Sequence, residues 1–148
     1  MRTLAVIVVL SALLTGCQDT PSPQSTAISK RSVLSLLKGS AASTPAVLEA
    51  KGVQEPIGGS SGLGPTDYQY FGLVKLESDA LEAFVSNAKP EVERPKYVRP
   101  QGTTTWWPNE RDFNELEFFE HPSPSPGIIG WIAVSRKFGN VLFVLGTT

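Results

Sequence analysis

The sequence predicts an α/β protein of the α+β type. It should have a small antiparallel sheet of three to four strands, one main packed helix and a C-terminal β-hairpin, preceded by a flexible tether. Three observations point there. "GIIGWIAVSRKFGNVLFVLG" at the C-terminus holds two apolar runs around a turn. "SDALEAFVSNA" carries a single amphipathic helical stripe. Twelve prolines and thirteen glycines cluster between these runs, so the chain divides into ordered and tether-like regions.

The N-terminus comes first. Met1-Arg2-Thr3 carries one positive charge, and Leu4 to Leu14 is apolar except for Ser11. Eleven residues at about 1.5 Å each cannot cross a hydrocarbon core of about 30 Å. A charged start, a short apolar run and small residues before Cys17 form the order of an export signal. Leu14-Thr15-Gly16-Cys17 resembles the lipobox of bacterial lipoproteins. That resemblance implies cleavage after residue 16 and diacylglycerol on the Cys17 sulfur, often with a further acyl chain on the new amine. Several chains are needed because each buried CH₂ contributes only about 0.8 kcal/mol. Gln18 follows the cysteine, and the aspartate comes one place later, at Asp19. The resemblance then implies an outer-membrane protein facing the periplasm, if the cell is Gram-negative. Cys17 is the sole cysteine, so no internal disulfide forms.

Residues 17–66 read as lipidated cysteine and tether, with a short helix expected at 27–38. There Ile28, Val33, Leu34 and Leu37 are apolar, with Leu36 beside them, and Gly39 offers a stop. Ser40 to Thr66 is rich in Gly, Ser, Ala and Pro without a period, which predicts linker. Ala46 to Lys51 could make one helical turn.

The compact domain is expected over 67–148. "DYQYFGLVKL" is aromatic and β-branched enough for a strand. A helix over 79–88 should follow, capped by Ser78 or Asp79, with Leu81, Phe84, Val85 and Ala88 on one face. Pro90, Pro95 and Pro100 force an extended crossing. Arg111 to Pro122 reads as a helical turn running into a strand near Glu117–Glu120. A hairpin closes the chain: Ile129 to Ser135, then Asn140 to Leu145, with Gly139 supplying a positive φ. Val141, Phe143 and Leu145 alternate with Leu142 and Val144, and Ile132 and Val134 with Trp131 and Ala133. Both faces are apolar, so both need cover. The helix can cover one. The N-terminal helix, the Trp106–Phe119 segment or a partner must cover the other. This order of elements resembles small exported bacterial proteins of unassigned function, and the resemblance implies no activity.

No catalytic constellation emerges. His121 is the single histidine, in loop-like "EHPSP", with no nucleophile elbow in the chain. Glu115, Glu117 and Glu120 could supply paired carboxylates for glycoside hydrolysis, but carboxylates this dense usually form a solvated face. Metal and cofactor sites are not expected. A net charge of −1 argues against nucleic acid. The candidate binding surface is Trp106, Trp107 and Trp131. In extended chain Trp106 and Trp107 point to opposite sides, so one can be core and the other exposed. The alternative is that both simply cover the bare sheet face.

The expected function is therefore a lipid-anchored cell-envelope protein with a non-enzymatic binding or accessory module. The alternatives are a small cell-wall glycan hydrolase and an immunity-like inhibitor lipoprotein. Expected partners are the membrane, through acyl chains on Cys17, and an envelope protein or glycan.

Overall fold

The structure is a computed structural model that describes residues 25–37, 46–57, 67–88, 92–102, 105–121 and 127–147. The expected signal segment and Cys17 lie outside the described residues. The elements in order are β1 (Thr26–Ala27), α1 (Lys30–Leu37), β2 (Val47–Ile57), β3 (Asp67–Leu76), α2 (Ser78–Ser86), α3 (Glu110–Phe113), β4 (Glu117–Glu120), β5 (Ile128–Ser135) and β6 (Asn140–Thr147). The strands form one antiparallel sheet in the order β1-β2-β3-β6-β5-β4.

This corrects the expected fold class. The described residues are mostly β, with a six-stranded sheet and three short helices. It is not an α/β fold with three to four strands and one main helix. The difference lies chiefly in β2, which runs through the stretch read as linker and through the turn read as helical. β2 pairs with β3 from Val47↔Leu76 to Ile57↔Asp67. Its backbone is satisfied by that long ladder rather than by a strongly apolar sequence. Pro56 sits beyond the two β2 residues that β1 pairs with. A sheet tolerates a residue without an N–H at such an open edge. The described fold thus begins at Ser25 and not near Asp67. The short helix of the N-terminal region is α1, and it packs on the sheet through Val33 and Leu37.

The hairpin parity holds along both strands. Val141, Phe143, Leu145, Ile132 and Val134 enter one core with Leu81 and Phe84 of α2 and Val33 and Leu37 of α1. Leu142, Val144 and Ala133 enter a second core, with Trp131 packed against it. Trp107, Phe113 and Leu116 meet this second face, with Tyr97 and Val98 of the crossing beside them. Tyr97, Val98, Trp106, Trp107, Phe113 and Leu116 of the chain itself therefore cover this second face.

Glycine makes room on the first face. Gly52 pairs with Gly72, and Gly72 with Phe143. A Cβ on Gly52 would stand 2.7 Å from Val33 Cγ2 and 2.8 Å from Ile28 Cγ1. α1 approaches the sheet there because no side chain intervenes. Gly139 closes the β5–β6 turn at φ 68°. α2 begins after Glu77, which makes no side-chain cap, so neither Ser78 nor Asp79 is the N-cap; Asp79 lies in the first turn.

Candidate functional site

A groove of about 430 Å³ opens where the cover of the second face meets the β5–β6 turn. Leu73 of β3 and Leu142 of β6 contribute apolar lining from the sheet. Trp106, Trp107 and Leu116 line one side, and Arg136, Lys137 and Phe138 of the turn line the other. A second groove of about 580 Å³ lies across the same turn, lined by Leu48, Lys75, Leu81 and Glu82.

The wall is rigid for identifiable reasons. Trp107 is buried, and its Nε1–H donates to the Val98 carbonyl at 2.9 Å. Its ring meets Phe71 edge-on at 5.3 Å and Trp106 at 5.7 Å. Tyr97 donates its hydroxyl proton to the Pro108 carbonyl at 2.9 Å. Asn109 caps α3: its Oδ1 accepts from the Asp112 backbone N–H at 2.9 Å, and its Nδ2 donates to Asp112 Oδ2 at 2.8 Å. Phe113 anchors α3 below, within 5.0–5.6 Å of Tyr97, Phe118 and Trp131.

The facing turn is held by charge. Arg136 Nε donates to Glu117 Oε1 at 2.8 Å, and Nη1 to Glu82 Oε1 at 2.5 Å. The hydrogen bonds to Glu117 and then to Glu82 raise the guanidinium pKa further, so Arg136 is charged throughout. Lys137 Nζ lies 5.0 Å from the centre of the Phe138 ring, which is half exposed.

Elsewhere, Glu55 is a buried carboxylate on β2. Burial pushes its pKa up, and the backbone N–H of Gln101, which donates to Oε1, partly offsets that. Ser25 Oγ donates to the Gln101 carbonyl at 2.8 Å, so the start of the fold and the proline-rich crossing meet at this point.

The residues singled out from sequence fall as follows. Trp106 and Trp107 both line the groove, but Trp107 is mainly core. The pair sits in a turn, so the rings pack edge to face and do not point to opposite sides. Trp131 is not in the groove lining; it meets Phe113 and Phe118 edge to face. Glu115 and Glu117 line the groove and Glu120 does not. His121 is buried at the end of β4. Among the described residues, no group of three or more His, Cys, Asp or Glu side chains could hold a metal ion. Among them, too, no helix is long and apolar enough to cross a membrane. Sequence reasoning missed Arg136, Lys137 and Phe138, whose signal was the "SRKFGN" turn itself. Comparison with family models, curated proteins and solved structures finds no match.

Proposed function

We propose that the chain is a lipid-anchored cell-envelope protein. Its domain is a non-enzymatic binding module that holds its ligand between Trp106 and the Phe138 turn. The groove carries this reading. It has the size of a binding cleft, with an apolar floor from the sheet and a polar, charged rim. Its carboxylates favour binding over turnover. Glu117 is engaged by Arg136 and Asp112 by Asn109, Glu120 lies elsewhere, and, among the described residues, Glu115 is thus left on the rim without a second open carboxylate to work with.

The anchor rests on Leu14-Thr15-Gly16-Cys17. The first strand begins at Thr26, nine residues after Cys17. Fully extended chain of that length spans at most about 30 Å. The first strand is thus held close to the bilayer, closer than a fifty-residue tether would require.

The test is site-specific photo-crosslinking in native envelopes. A photoreactive residue at Phe138 should give discrete adducts, and one at Ile129, exposed away from the groove, should not. No adduct at Phe138, or the same adducts at both positions, would contradict the reading.

A further inference from the structure

We propose that the ligand of this groove is a neutral glycan segment; the proposal rests on the binding-module reading and narrows it. The argument begins with charge. Arg136 is committed to two carboxylates, Glu82 and Glu117. Lys137 sits over the Phe138 ring. The groove therefore offers no open cluster of cations for a phosphate or sulfate group. Its rim is too polar for an acyl chain, since Asn109, Asp112, Glu115 and Asn140 all border it.

What remains is a surface with an aromatic platform and short-range hydrogen-bonding groups. Trp106 is half-buried, packed edge-on against Trp107, and Trp107 is pinned by Val98. Such an indole loses little freedom when a ligand stacks on it. Glu115 is exposed on the same rim, and Asn140 is half-buried at the turn. Neither side chain is used by the hydrogen bonds that build the walls.

A pyranose matches this arrangement from both sides. Its C–H face is apolar and lies against an aromatic ring, while its hydroxyl edge needs carboxylate and amide partners. A sugar also carries no charge to offset, which suits a groove whose Arg136 is already paired and whose open groups, Glu115 and Asn140, can serve as hydrogen-bonding partners. A glycan long enough to leave the open ends of the groove would be held by one or two residues and extend beyond it.

The experiment uses the full mature lipoprotein in detergent micelles, titrated with a soluble β-1,4-linked N-acetylglucosamine tetramer and separately with maltotetraose. Binding is read by calorimetry and by tryptophan fluorescence. At least one tetramer should bind saturably. Trp106→Ala should weaken it about tenfold or more, the loss typical of a central aromatic anchor. Glu115→Ala, at an exposed position, should weaken it by several-fold without altering the urea midpoint. Ile129→Ala, exposed and outside the groove, should leave it unchanged. Failure of both tetramers to bind, or equal binding by the Trp106 and Glu115 variants, overturns the glycan assignment. Protein-only adducts from Phe138 in envelopes would also overturn it, yet leave the binding-module reading standing. Absence of any groove adduct overturns both.

Discussion

Gly72→Ala should destabilise the protein through a single clash at the centre of the sheet. Gly72 pairs with Phe143, which is fully buried. An ideal Cβ on Gly72 would lie 2.7 Å from Phe143 Cε2, and closer still to Cζ and Cε1. Ordinary contact starts at 3.4 Å, so Cε2 must retreat by 3.4 − 2.7 = 0.7 Å and the nearer Cζ and Cε1 by more. It has nowhere to go, because Ile132, Val74 and Leu145 close the same core. Overpacking of this kind costs about 1–3 kcal/mol. Removing a glycine from a strand returns about 0.5–1 kcal/mol. Three ring atoms clash at once, which puts the cost in the upper part of that range, about 2–2.5 kcal/mol, and the net loss at about 1–2 kcal/mol. With a urea slope of about 2 kcal/mol/M, the midpoint should fall by about 0.5–1 M. Phe143→Leu in the same chain should absorb part of the clash, giving a coupling of about 0.5 kcal/mol or more in a double-mutant cycle. A midpoint for Gly72→Ala equal to or above wild type would refute the packing described for the first face.

Two further outcomes follow from the charged groups. Glu55 has its folded pKa raised above the ordinary value of 4.5 by burial. The folded state therefore holds this proton more tightly than the unfolded state. The resulting stabilisation is complete below the unfolded value and is lost as pH rises through the folded one. Glu55→Gln should flatten that decline, and urea midpoints measured from pH 4 to 7 would show it; an unchanged slope would count against the buried carboxylate. Arg136→Met should loosen the β5–β6 turn, seen as faster amide hydrogen exchange at Lys137 to Asn140. The difference from wild type should shrink in high salt, because the ion pairs are exposed.

Legibility in the sequence tracked local periodicity. β5 and β6 alternate apolar residues on both faces over consecutive positions, so their pairing and their two cores follow from parity alone. The crossing at 92–102 follows from its prolines. β2 did not stand out, because Glu49, Lys51, Gly52 and Pro56 dilute its pattern. Gly52 reads as flexibility, yet its function is to admit Val33 and Ile28 of the N-terminal segment. That contact is long-range, and no local window contains it. The same holds for the groove. Trp106 was visible as an unusual residue, but its counterpart Phe138 lies 32 positions away and looked like part of a turn. The Arg136–Glu82–Glu117 link spans three elements, so only the assembled sheet brings it together.

The most direct measurement of the anchored-module claim is metabolic palmitate labelling of wild type and Cys17→Ala, followed by membrane fractionation. Wild type should carry label and sediment with membranes. Cys17→Ala should lose the label, as expected if the sole cysteine is the acyl attachment point. Unchanged labelling of the alanine variant, or wild type without label, would contradict a lipid-anchored binding module.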